Sequence, residues 1–257
     1  MSSQSHRAMA TGAVLAAAVA VAAVAGCGSH KQPTTSITVF ASSSLIKSFS
    51  EIGKQFKADN PGTSVEFIFA GSAELAAQLT DGANADVFAA GDLPDMATVT
   101  RAGLVAGDPV NFASNKLAIA VAPGNPKKIG SFADLNRPGL RVAVCGRPST
   151  CATGMQRIEQ KTGIALHPAA EDSTTIDIVK NVTDGQVDAG VVYTSDALNA
   201  GDNISWFNFP EAAEAANTYS IALMKDSQQV RLATNFMKLV TGDSGRAILR
   251  SGGFSQP

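Results

Sequence analysis

Histidine, tryptophan, tyrosine and cysteine are all scarce in this 257-residue chain, which holds three, one, two and three of them respectively. Each shortage removes a class of chemistry. The histidines are His6, His30 and His167, and only His167 lies beyond the N-terminal region. A serine or cysteine nucleophile therefore lacks an evident base, and the chain contains no G-x-S-x-G elbow. A zinc-type centre would need more cysteine and histidine ligands than are present. Charged residues make up only 16% of the chain and the formal net charge is −2, so no broad basic face suited to nucleic acid is available.

What is present begins with a targeting segment. Arg7 precedes an unbroken apolar run from Ala13 to Val24, which leads into Val24-Ala25-Gly26-Cys27. The run is short for a membrane span and has the layout of an export signal, residues 1–26, ending in a bacterial lipobox with Cys27 as the lipidated residue. A single transmembrane anchor is the alternative. Residues 27–36, rich in polar residues and ending Thr34-Thr35-Ser36, read as a tether. With Cys27 assigned to lipid, Cys145 and Cys151 remain in an exported, oxidising setting, where a disulfide closing the short loop between them is the expected state.

The remaining part alternates strand and helix patterns, which implies an α/β protein with mainly parallel sheets. Ile37 to Phe40 is a β-branched and aromatic strand. Leu45, Ile46, Phe49, Ile52 and Phe56 then recur at helical spacing, leaving Ala41 to Ser44 as the turn. The same order returns at Ser64–Phe69 followed by Ala70-Gly71-Ser72 and a helix. It returns again at Leu140–Val144, followed by a loop from Cys145 to Gly154, and at Ser173-Thr174-Thr175 ahead of Ile176, Val179 and Val182. Asp92 is the expected cap of a helix carrying Pro94. Asp188 to Tyr193 is a buried strand ending in a tyrosine, and Val230 to Val240 carries a helical stripe.

Four turns, around Ser44, Ser72, Ala152 and Thr175, thus place small or hydroxyl residues between a strand end and a helix start. Helix N-termini carry unpaired N–H donors and partial positive charge, and ligands of open parallel sheets bind at the C-terminal strand ends. Taken singly, Ser44 reads first as a plain helix cap. Taken together, the four turns can surround a small oxyanion with neutral donors, with the Tyr193 hydroxyl completing the cage. None of these four turns contains a carboxylate, although Glu74 and Asp172 lie near two of them.

Ile37-Thr-Val-Phe-Ala-Ser-Ser-Ser-Leu45, Phe69-Ala-Gly-Ser-Ala-Glu-Leu75, Ala85-Asp-Val-Phe-Ala-Ala-Gly-Asp92 and Asp188-Ala-Gly-Val-Val-Tyr-Thr-Ser-Asp-Ala197 occur in this order. Together they resemble the molybdate-binding proteins of bacterial ABC importers, from Ile37 to the C-terminus. The resemblance implies a two-lobed type II periplasmic-binding-protein fold, each lobe a mixed, mainly parallel sheet flanked by helices. It implies lobe 1 from residues 37–112 and 220–257 and lobe 2 from 113–219, with crossings near Phe112–Lys116 and Phe209–Tyr219. It implicates Ser44, Ser72 and Tyr193 through their hydroxyls and Ala152 and Thr175 through backbone N–H groups, with Ser43 and Thr153 as further candidates and a Thr175 hydroxyl as a possible extra donor. The implied function is capture of molybdate or tungstate by a monomeric lipoprotein on the outer face of the cell membrane, and delivery to the permease and ATPase of an ABC importer. No cofactor and no direct protein–metal ligand is implied. Sulfate or phosphate reception is the alternative within the fold, and a secreted serine hydrolase is the alternative outside it.

Overall fold

The computed structural model describes residues 35–257 apart from residue 148, so the export signal, Cys27 and most of the tether lie outside the described residues. The chain forms two five-stranded sheets. The first lobe opens with β1 (Thr35–Ser42), α1 (Ile46–Asp59), β2 (Thr63–Ala70), α2 (Ser72–Thr80), β3 (Val87–Ala90), α3 (Leu93–Arg101) and β4 (Val110–Asn115). The second holds β5 (Leu117–Val121), β6 (Val142–Cys145), α4 (Thr150–Thr162), β7 (Ala170–Asp172), α5 (Thr175–Thr183), β8 (Ala189–Tyr193), α6 (Thr194–Ala200) and β9 (Ser205–Phe207). The chain then returns to the first lobe with β10 (Asn217–Leu223), α7 (Val230–Thr241) and α8 (Asp243–Ser251).

Both sheets share one plan. The strand orders are β2-β1-β3-β10-β4 and β7-β6-β8-β5-β9. In each, three parallel strands are followed by two joined through antiparallel pairing. Thus β1, the middle of the three parallel strands, corresponds to β6, β2 to β7 and β3 to β8, and the helix-opening turns after corresponding strands occupy corresponding places. The chain changes sheet at Lys116 and again between Phe207 and Asn217, with Asn115 and Asn217 paired in register on the first sheet.

Burial explains why these segments are strands. All four residues of β3 and all five of β5 and of β8 are buried, so their continuous apolar runs fit strands covered on both faces. Helix α1 buries Phe49, Ile52 and Phe56 on one stripe. Phe236 of α7 meets Phe49 and Phe56 edge-on, with centroids 5.9 and 5.5 Å away, which seats the C-terminal helices on the first lobe. In the second lobe Phe132 stacks on Phe209 at 5.6 Å.

Several boundaries differ from the sequence reading. Strand β1 begins at Thr35 and runs on through Ser42, so the first turn is tighter than expected. The short strands β4 and β7 and the helix α6 carried no sufficient pattern. Helix α4 starts at Thr150, inside the segment read as a loop up to Gly154, because Ser149 caps it by accepting the Ala152 N–H at 3.1 Å. Among the described residues no helix is long and apolar enough to cross a membrane.

Candidate oxyanion site between the lobes

A cavity of about 300 Å³ opens where the C-terminal ends of the central strands of both lobes converge. Its first-lobe wall comprises Ser42, Ser43 and Ser44, then Gly71 and Ser72, then Gly91 and Asp95. The second lobe contributes Cys145, Ser149, Thr150 and Cys151, then residues 173–176, then Tyr193 and Asp196. Asn217 and Tyr219 close it from the returning strand. No lysine or arginine is among these lining residues, and Arg147 is exposed outside them.

The hydrogen bonds behind the wall decide how each hydroxyl can act. A hydroxyl has a single proton, so a donor that occupies its lone pair leaves that proton for another acceptor. Ser72, the first residue of α2, accepts the Gly91 N–H at 2.8 Å. Glycine at 91 leaves room for this approach, since a Cβ there would come within 2.8 Å of Ser42 Oγ and 3.3 Å of Ser72 Oγ and displace the Ser42 hydroxyl. Asn217 Nδ2 donates to the Tyr193 hydroxyl at 2.6 Å. Burial drives the Tyr193 phenol well above its usual pKa and that of Tyr219 up to about 12, so both remain protonated and able to donate.

Ser44 is not a helix cap. It sits in a single 3-10 turn, Ser43–Leu45, and its Oγ lies 2.9 Å from the Tyr219 hydroxyl and 3.1 Å from Ser42 Oγ. The hydroxyls of Ser44, Ser72 and Tyr193 all reach one cavity, as does Ser43. Tyr219 and Asn217 were missed. They lie at the start of a strand, where their period-2 pattern looked like any other.

The second-lobe donors need correcting. The Ala152 N–H is taken by Ser149 Oγ and the Thr153 N–H by the Ser149 carbonyl at 3.0 Å, and neither residue lines the cavity. The helix starts one turn earlier than expected, so Thr150 and Cys151 occupy the first turn facing the cavity. The serine three residues before Ala152 was the available cap signal. The disulfide between Cys145 and Cys151, with Cα atoms 5.8 Å apart, ties the end of β6 to that turn. Thr175 does line the cavity, but its hydroxyl is given to Asp196 Oδ2 at 2.6 Å, while Thr174 caps α5 through the Asp177 N–H at 3.1 Å. Only the Thr175 N–H is left for the role expected of it, at the start of a nine-residue helix.

The four turns contain no carboxylate, yet other elements bring two into the cavity. Asp95 and Asp196 line the cavity, brought there by α3 and by α6. Both resist ionisation. Burial raises the Asp196 pKa, and burial with the neighbouring Asp92 charge raises that of Asp95 to about 7. Asp92 itself spans the cleft. Its Oδ1 caps α3 by accepting the Asp95 N–H at 2.9 Å, and its Oδ2 accepts the Thr150 hydroxyl of the opposite lobe at 2.7 Å.

Two α/β lobes joined by two crossings, with neutral donors converging on the cleft, define a receptor for a small solute. The chain belongs to the bacterial extracellular solute-binding proteins, whose family model matches residues 37–255. It is 49% identical over 252 residues to the molybdate-binding protein ModA of Mycobacterium tuberculosis strain H37Rv, covering 95% of this chain and 97% of that one. It is 25% identical over 256 residues to the putative ABC transporter substrate-binding lipoprotein YvgL of Bacillus subtilis, with 94% and 96% covered. The periplasmic molybdate-binding protein of Azotobacter vinelandii superposes with a TM-score of 0.73 at 20% identity, over 86% of this chain and 99% of that one, which shows the shared fold.

Proposed function

We propose that this protein captures molybdate outside the cell membrane and hands it to the permease and ATPase subunits of an ABC importer. The observation that carries the reading is the polarity of the wall. Ser72 and Tyr193 each accept a hydrogen bond from behind, so their protons are free for an anion in a cavity with no basic side chain. The name of the 49%-identical relative supports the choice of anion. Tungstate, of the same shape and charge, is expected to bind as well.

The proposed contacts are the hydroxyls of Ser44, Ser72 and Tyr193, the N–H of Thr175 and an N–H at the start of α4, with Ser43 at the rim. The oxyanion is cargo, and the protein is a receptor without catalytic activity. Cys27 is proposed as the lipid attachment point, in keeping with the lipoprotein relative, and the folded part is proposed to act as a monomer. Six or so hydrogen bonds to a charged group, at roughly 1.5–3 kcal/mol each, can offset dehydration of the anion and closure of the lobes.

Calorimetric titration of residues 28–257 with molybdate, tungstate, sulfate and phosphate tests this. Molybdate and tungstate are expected to bind at micromolar Kd or tighter, and sulfate and phosphate at least about tenfold more weakly, a gap of about 1.4 kcal/mol. Tighter binding of sulfate or phosphate would overturn the assignment in favour of the other oxyanion, and ester turnover abolished by Ser44→Ala would replace it with a hydrolase.

A further inference from the structure

The Tyr193 hydroxyl is aimed by a residue of the crossing strands. Asn217 Nδ2 lies 2.6 Å from it, and Tyr193 and Asn217 are only 8% and 5% exposed. Asn217 opens β10, the strand that returns from the second lobe, and pairs in register with Asn115 at the end of the outgoing β4. Asn115 is itself 1% exposed, and its Nδ2 donates to the fully buried Ser195 Oγ at 2.8 Å. Its Oδ1 accepts the Lys116 N–H at 3.0 Å, which fixes the amide's orientation. Two neighbouring asparagines, one on each crossing, thus grip residues 193 and 195 of the same turn.

A phenol can point its proton toward an acceptor on either side. An amide N–H on the Tyr193 oxygen removes that choice. The proton cannot also turn toward Asn217, and the cavity side remains.

We propose that Asn217 is a positioning residue that sets the Tyr193 hydroxyl as a donor to the bound anion. The inference rests on the reading of the cavity as an oxyanion site. Asn217 contributes through the direction of the phenol's proton, so its effect on binding exists only while Tyr193 has a hydroxyl. The substitution Asn217→Asp keeps the shape and offers acceptors in place of the amide donor, drawing the phenol's proton out of the cavity.

The test is calorimetric titration with molybdate of the wild type, Asn217→Ala, Asn217→Asp, Tyr193→Phe and the double variant Tyr193→Phe/Asn217→Ala, with melting temperatures recorded alongside. Asn217→Asp and Tyr193→Phe are expected to weaken binding by about ten- to hundredfold, the range of one hydrogen bond to a charged group. Asn217→Ala is expected to weaken it by about three- to tenfold in the wild type and not at all in the Tyr193→Phe background, a non-additivity that a scaffold role would not produce. Equal losses in both backgrounds, or wild-type affinity in Asn217→Asp, overturn the proposal. If Asn217→Ala does not fold, Asn217→Asp measured in both the wild-type and the Tyr193→Phe backgrounds decides, since repulsion of the anion by the new carboxylate acts in both and only a loss that vanishes with the Tyr193 hydroxyl supports the proposal. Absence of molybdate binding by the wild type itself would instead sink the oxyanion reading beneath it.

Discussion

Replacing Ser72 by alanine removes one oxygen and disturbs two partners. Behind Ser72, the buried Gly91 N–H loses its acceptor at 2.8 Å. An orphaned buried donor costs about 1–3 kcal/mol. For a domain of this size that lowers the melting temperature by roughly 2–4 °C for each kcal/mol. In front of Ser72, the anion loses a donor whose proton had no other use, which costs about 1.5–3 kcal/mol, or roughly a 10- to 150-fold rise in Kd. Melting of the ligand-free protein and calorimetry with molybdate separate the two effects. Thr98→Ala is the control, because Thr98 is exposed on α3 and lies outside the cavity; it should shift affinity by less than about threefold, as a surface substitution away from the site does. A Ser72→Ala protein that melts lower and still binds at wild-type affinity would show that Ser72 only braces the Gly91 turn, and the argument from hydroxyl polarity would fall.

Thr150→Val keeps the shape of the side chain and deletes the hydroxyl that Asp92 accepts across the cleft at 2.7 Å. It should weaken oxyanion binding by up to about tenfold and raise the radius of gyration of the ligand-free protein in small-angle scattering; an unchanged radius and affinity would show that the bridge does not hold the lobes. The pH dependence follows from Asp95, whose pKa is raised to about 7 by burial first and by the Asp92 charge second. A raised carboxyl is neutral in the folded protein below about pH 7 and charged above it, so molybdate affinity should fall as pH rises from 6 to 8, by less than tenfold per unit. Because the folded pKa lies above the unfolded one of 3.8, this group's contribution to stability is fully present below about pH 4 and is lost between about pH 4 and pH 7, mostly before the window in which affinity falls. Asp95→Asn should flatten the affinity profile measured at pH 6, 7 and 8, and a profile as steep as the wild type's would assign the titration to another group.

The reading of single residues succeeded where local chemistry sufficed. Asp92 followed by Pro94 announced a capped helix, and both features are present in α3. Ser72 opens α2 because glycine and serine stop a strand whose residues alternate, and Ala233, Phe236 and Val240 of the expected stripe, with Leu232, form the buried face of α7, whereas Val230 at its start is exposed. It failed where one signal masked another. Ser149 lay in a run of small and hydroxyl residues that all read as loop, so the start of α4 moved and the donor assignment moved with it, from Ala152 to Thr150 and Cys151. Three-residue β7 and seven-residue α6 were too short to show a period.

By itself the sequence determined the alternation of strand and helix and the places where donor-bearing turns interrupt it, because each depends on neighbours a few residues apart. The tertiary structure alone decided which way the hydroxyls point and which acids share their space. Asn217 reaches Tyr193, Tyr219 reaches Ser44, and Thr150 reaches Asp92 across separations of 24, 175 and 58 residues. No local pattern encodes such a partner, since hydrogen bonds depend on distances of about 3 Å in space that only the pairing of the strands and the two crossings of the chain establish.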